Sequence, residues 1–255
     1  MSTIYFDNNI FISIQERRSQ FDNNVISKIV TSPYDYYYSS AHIQEANRVI
    51  EDTSKIENSV PSKRFDLISL ITSNKYLEYD FQQKDIRLRV ESPMNVYETI
   101  HTLPHGQSSI DQLLKLGNKG YSDTFREQKS LIPQRLNNYS IEEIVEKINE
   151  TAGGSLKDFI KKVYSFFPDS ENYGTYHEFG LVFNFLNMMG FWKDKENYKS
   201  DYARLWDSIH SYFASYCDYF VSDDKRTREK AKVVYYMYDI NTEVLDSERF
   251  IQMIL

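Results

Sequence analysis

The sequence predicts an α/β protein, a three-layer α/β/α sandwich around a mostly parallel sheet with a helical insertion. Three observations lead there. Two short apolar runs end in acids: Ile4-Tyr5-Phe6 runs into Asp7, and Tyr219-Phe220-Val221 runs into Ser222-Asp223-Asp224. A third run, Tyr36-Tyr37-Tyr38, has strand propensity and leads into a helical pattern. After residue 200 the chain reads helix, strand, helix, strand and helix at spacings that imply parallel pairing.

The N-terminal strand Ile4–Phe6 is followed by a polar Asp7-Asn8-Asn9 turn, and Ile10 to Ile14 either starts a helix or continues extended. After Tyr36–Tyr38, Ser39 or Ser40 can cap a helix on which Ala41, Glu45 and Val49 recur at four-residue spacing. Between 52 and 200 the pattern changes. Ile86 to Val90 alternates, Ser140-Ile141-Glu142-Glu143 is a capping box, Gly153-Gly154 marks a turn or hinge, and Leu156, Phe159, Ile160, Val163 and Phe167 form an amphipathic stripe. Phe179 to Met189, apolar nearly all round, reads as a core helix. A helix over 201–217 carries Leu205, Ile209, Tyr212, Phe213 and Tyr216 on its main face. Ala231, Val234 and Met237 mark another, and Thr242–Leu245 with Ser247–Ile251 supply a last strand and a closing helix. The expected division is a core of 1–51 and 201–255, with 52–200 as a largely helical insertion packed on it or completing it.

The chain of 255 residues carries a formal charge of −7, which disfavours a protein that coats nucleic acid through dispersed cations. Twenty-one Tyr and 16 Phe crowd the core with large rings whose hydroxyls need partners. One cysteine, Cys217, excludes an internal disulfide and every multi-cysteine metal motif. With no apolar stretch of membrane-spanning length, the expectation is a soluble, cytoplasmic protein without a membrane partner.

The helix at 201–217 also repeats Ala203, Asp207, His210 and Ala214 at spacings of four, three and four, with small residues that leave Asp207 room to face a strand end. Asp207 is expected in the N-terminal half of that helix, where the macrodipole favours an acid. Asp7, Glu45, Asp207 and Asp224 would form one acidic crevice. Four clustered carboxylates cannot all ionise without a counter-charge, and oxygen-only ligands favour Mg²⁺ or Mn²⁺. Such ions activate water for attack on a phosphodiester. Three of these residues have a plainer role: Asp7 as a cap, Glu45 as a solvated helix residue, His210 as a structural histidine.

The segments Ile4-Tyr5-Phe6-Asp7-Asn8-Asn9, Tyr38 to Ala46, Asp207-Ser208-Ile209-His210 and Tyr219 to Arg226 resemble, in order, the four acidic motifs of PIN-domain (VapC-like) nucleases. Thr242 to Ile251 is similar to that family's last strand and helix. The resemblance covers roughly 1–50 and 200–255. It departs in the middle, where about 150 residues separate the second and third acids.

The resemblance implies metal ligation by Asp7, Glu45, Asp207 and Asp224. It implies support from Asn9, Ser222 and His210, with Asp223 as a neighbour outside the direct ligands. It implies a Mg²⁺- or Mn²⁺-dependent endoribonuclease, in a toxin–antitoxin or defence setting, with RNA as substrate, a protein inhibitor or antitoxin as partner, and a homodimer. The alternatives are a flap-type or single-strand DNA nuclease and a non-catalytic PIN-like scaffold. Lys225, Arg226 and Arg228, in a run that continues to Lys230 and Lys232, are the candidates for phosphate-backbone contact. Tyr34 to Tyr38 contains either a base-stacking platform or strand core.

Overall fold

A computed structural model describes residues 1–47, 60–101, 138–165, 174–194 and 198–255. Val49 and Phe167 lie outside the described residues. The architecture is α/β, as expected for a three-layer sandwich: a six-stranded, mostly parallel sheet and, among the described residues, eleven helices.

The strands are β1 (Thr3–Phe6), β2 (Asp35–Ser39), β3 (Lys75–Asp80), β4 (Asp85–Val90), β5 (Tyr219–Val221) and β6 (Glu243–Leu245). The helices are α1 (Asn8–Gln15), α2 (Asn23–Thr31), α3 (Ser40–Asn47), α4 (Val60–Thr72), α5 (Pro93–His101), α6 (Ile141–Ala152), α7 (Leu156–Tyr164), α8 (Thr175–Met189), α9 (Tyr198–Ala214), α10 (Lys225–Met237) and α11 (Ser247–Ile254). The sheet order is β4-β3-β2-β1-β5-β6. β1 pairs in parallel with β2, from Thr3↔Asp35 to Tyr5↔Tyr37, and with β5, from Ile4↔Tyr219 to Phe6↔Val221. Among the described residues only the β3–β4 pair is antiparallel.

From β1 the chain adds β2 and β3 on one side and later β5 and β6 on the other, so the strand order reverses between β1 and β5. Open α/β sheets leave a crevice beyond the carboxyl ends of the strands at such a point. Ile4, Tyr5, Phe6, Phe220 and Val221 are all buried, which is why these strands read as continuous apolar runs rather than alternating ones. One core gathers Ile4, Phe6, Tyr36, Tyr38, Val221 and Leu245 from the sheet with Ile10, Phe11, Phe65, Tyr97 and Phe250 from helices.

The ambiguous segment after Asp7 is helical. Ile10, Phe11 and Ile14 fall one and four residues apart, so one turn of α1 delivers all three to that core. The capping box at Ser140 is present, with Ser140 N–H donating to Glu143 Oε2 at 2.7 Å and Glu143 N–H to Ser140 Oγ at 3.3 Å. Gly153, at φ 73°, closes α6 in the left-handed conformation that glycine adopts without steric cost.

The chain forms two compact units: residues 1–104, 213–228 and 241–255, and residues 105–212 and 229–240. The division falls within α9 and α10, so both helices belong to each unit in part. The sheet unit does not stop at residue 51. Residues 60–101 supply α4, β3, β4 and α5, and β3 extends the sheet in parallel from β2 at Tyr38↔Tyr76. The alternating pattern of β4 did mark a strand, but its antiparallel edge position leaves Leu88 and Val90 exposed, so it carries little core signal.

Candidate metal centre at the ends of β1 and β5

Asp7 follows the last residue of β1 and is buried, 4% exposed. Its N–H donates to Val221 O at 2.8 Å, extending the β1–β5 ladder by one rung. Its carboxylate Oδ2 accepts from Ser222 Oγ at 2.6 Å and from Asn9 Nδ2 at 2.5 Å. Asn9 Nδ2 also lies 3.1 Å from Ser222 Oγ, and Asn9 Oδ1 accepts the Asp223 N–H at 3.2 Å. Thus the first turn of α1 and the loop after β5 are tied together through Asp7. Asn9 and Ser222 are neutral donors, so they orient the carboxylate without adding charge.

Asp224 stands two residues past Ser222, whose Oγ accepts its N–H at 3.2 Å. Its Oδ1 accepts from Arg226 N at 2.7 Å and Thr227 N at 3.3 Å, so Asp224 caps α10. Asp223 Oδ1 accepts the Ser247 N–H at 3.0 Å, and Oδ2 lies 3.5 Å from Gln20 Nε2. That bonding fastens the start of α11 to the loop.

Glu45 is half-buried on α3, the helix that begins where β2 ends. The guanidinium of Arg64, on α4, is held by Gln15 Oε1 at 3.0 Å. Burial lowers the Arg64 pKa, and Glu45 and Glu16 pull it back up. Glu45 therefore shares its surroundings with a cation from its own unit.

Asp207 and His210 lie on α9 in the second unit. The helix starts at Tyr198 and ends at Ala214, which puts Asp207 in its C-terminal half, so the macrodipole does not favour an acid there. Of its small-residue flank, Ala203 is exposed and Ala214 buried. Asp207 lies within electrostatic reach of Lys230, whose pKa burial lowers and Asp194, then more weakly Asp207, raise. His210 is 1% exposed.

The basic run after Asp224 divides by exposure. Lys225 and Arg226 are exposed. Arg228 is engaged by its own loop, donating from Nη1 to Ser222 O at 2.6 Å, with Nη2 3.7 Å from Asp246. Its guanidinium is thereby tied to the acidic loop. Lys230 is 2% exposed and donates to Asp194 Oδ2 at 2.8 Å, so it too leaves the set of solvated cations. Tyr36, Tyr37 and Tyr38 are buried, and burial pushes the Tyr36 hydroxyl up to about 12. These rings form strand core and offer no stacking platform. The Cys217 thiol is pushed up by burial, away from nucleophilic use.

Sequence reasoning gave His42 no role. His42 is wholly buried between β1 and β2. Its signal in the sequence was only its place three residues beyond Ser39.

Among the described residues no group of three or more His, Cys, Asp or Glu side chains is gathered to hold a metal ion. The donor chemistry at Asp7 nonetheless fits a hard divalent cation. Mg²⁺ takes one or two carboxylates and keeps several waters, and every polar side chain in the Asp7–Asn9–Ser222–Asp224 constellation offers oxygen. Two buried oxygens on the flanking residues, Asn8 Oδ1 and Thr227 Oγ1, have no hydrogen-bond partner. No helix among the described residues is long and apolar enough to cross a membrane. No family model, no curated protein and no solved structure matches the chain.

Proposed function

We propose that the chain is a Mg²⁺- or Mn²⁺-dependent nuclease that hydrolyses phosphodiester bonds, acting as an endoribonuclease. The observation that carries this is the buried Asp7 carboxylate at the strand-order reversal, oriented by Asn9 and Ser222 with Asp224 on the same loop. Asp7 and Asp224 would hold the ion, with Glu45 contributed from α3. A divalent cation there supplies charge neutralisation for the phosphodiester and a water acidified for attack. Asn9 and Ser222 keep Asp7 Oδ2 in one direction. Lys225 and Arg226, exposed at the start of α10, meet the substrate phosphates.

Asp207 enters as third acid through the PIN resemblance alone, as do His210, RNA as substrate, a protein inhibitor or antitoxin, a toxin or defence setting, cytoplasmic residence and a homodimer. A non-catalytic scaffold is the second reading. It is favoured by the local duties of Asp223 and Asp224, which accept backbone N–H groups from the starts of α11 and α10.

The test is cleavage of labelled single-stranded RNA, transfer RNA and single-stranded DNA by wild type and Asp7→Asn, with Mn²⁺ and with EDTA. Cleavage of RNA that EDTA and Asp7→Asn both abolish is expected. Preference for the DNA would move the assignment to a DNA nuclease, and no cleavage with no Mn²⁺-induced rise in melting temperature would favour the scaffold.

A further inference from the structure

We propose, on the footing of the metal-dependent reading above, that His42 is a positioning residue. Its imidazole sets the backbone from which Asp7 projects. In a parallel ladder with the β1–β2 register seen here, the rung after Tyr5↔Tyr37 would join the Ser39 N–H directly to the Phe6 carbonyl. The imidazole of His42 stands in that rung instead. Ser39 N–H donates to Nδ1 at 3.1 Å, and Nε2 lies 2.8 Å from Phe6 O. A carbonyl only accepts, so the proton sits on Nε2, and a backbone N–H only donates, so Nδ1 is bare. The neutral Nε2–H tautomer is the one state that satisfies both.

The consequence falls on Asp7. Its peptide unit is gripped at both ends, with the Phe6 carbonyl taken by His42 from the β2 side and the Asp7 N–H taken by Val221 O from the β5 side. The short Asp side chain, with only χ1 and χ2 to turn, springs from a backbone fixed on both sides, and Asn9 and Ser222 then select among its rotamers. The imidazole is itself held. It is 0% exposed, with the Phe11 ring edge-on at 5.2 Å and the Tyr5 ring at 5.0 Å. The Tyr5 hydroxyl lies 2.6 Å from Ser39 Oγ and 3.5 Å from Nδ1, and Ser39 Oγ accepts the Ala41 N–H at 3.2 Å. The carboxyl ends of β1 and β2 are therefore joined through side chains where the backbone ladder stops.

The experiment uses the full chain and three readouts. In wild type, nitrogen-15 NMR of the imidazole should show a slowly exchanging Nε2–H and an unprotonated Nδ1; a proton on Nδ1 overturns the proposal whatever the variants do. In His42→Phe, which keeps the ring contacts and loses both bonds, the Mn²⁺ concentration at half-maximal thermal stabilisation should rise about ten- to a hundredfold, the usual scale for removing a group that orients a metal ligand. His42→Gln, which returns an N–H for Phe6 O, should recover most of that loss. Cleavage by His42→Phe should fall in kcat with KM little changed. An unchanged Mn²⁺ midpoint in folded His42→Phe, alongside a midpoint lost in Asp7→Asn, overturns the positioning role and leaves the nuclease standing. No Mn²⁺ response in wild type overturns both. Should His42→Phe not fold, His42→Gln decides: a midpoint near wild type supports the role, and one as weak as that of Asp7→Asn defeats it.

Discussion

Two carboxylates largely withdrawn from solvent in this chain are handled in opposite ways. Asp7, in the sheet unit, is oriented by the neutral donors Asn9 and Ser222. Asp194, in the helical unit, receives Lys230 at 2.8 Å and Arg204 at 3.3 Å, and Asn184 takes Arg204 Nε at 2.7 Å. Neutral donors fix a direction and add no charge. Two cations cancel the charge and tie α8, α9 and α10 to the turn after α8. Direction matters for a group that has to meet something; cancellation matters for one that only has to stay buried. The same contrast runs inside one basic stretch, where Lys230 is buried on Asp194 while Lys225 and Arg226 face solvent.

Substitutions that separate orientation from cancellation sharpen this contrast. The largest effect is expected for Asp7→Asn, which should lower metal-dependent cleavage by roughly two to three orders of magnitude, the scale of one preorganised electrostatic group. Its urea unfolding midpoint should barely move; a large drop would make Asp7 a stability residue like Asp194 and collapse the distinction.

Lys230→Met should do the reverse. It removes one of the two cations on Asp194 and its charge-assisted hydrogen bond, leaving Arg204 as partner, and unfolding free energy should fall by about 2 kcal/mol in urea titrations. A fall below about 1 kcal/mol would place that pair with ordinary surface salt bridges. Ser222→Ala should weaken the Mn²⁺ midpoint by about tenfold, because Asp7 loses an orienting donor. The smallest effect is expected for Lys225→Ala with Arg226→Ala: modestly weaker RNA binding and a salt dependence flatter by about one unit of slope per lost phosphate contact. No change in slope would remove these cations from the substrate path.

Much of the sheet was legible because β1, β2 and β5 are buried on both faces, and continuous apolar or aromatic runs ending in polar turns leave few alternatives. The Asp7–Asn9–Ser222 contact was foreshadowed by paired strand ends some two hundred residues apart. The acid assignments were harder. Asp223 and Asp224 are adjacent, and which backbone N–H each one accepts depends on α10 and α11, elements that the local sequence does not orient. Arg228 and Lys230 read as solvated cations because a charge run carries no record of the carbonyl or carboxylate waiting across the fold. The place of β3 in the sheet was hard to read for a similar reason: β3 joins through its backbone, and backbone pairing leaves little trace in side-chain type.

By itself, the sequence determined the α/β class, the buried strands and the carboxylates at their ends, since burial on both faces and turn chemistry act through neighbouring residues. Tertiary structure alone decided which polar groups meet. The imidazole of His42 in the Phe6–Ser39 rung, the Arg228 grip on Ser222 and the Lys230–Asp194 pair each join groups from separate elements or across a helical turn. Their energies come from burial and exact partnering in space, quantities that exist only once the chain has closed on itself.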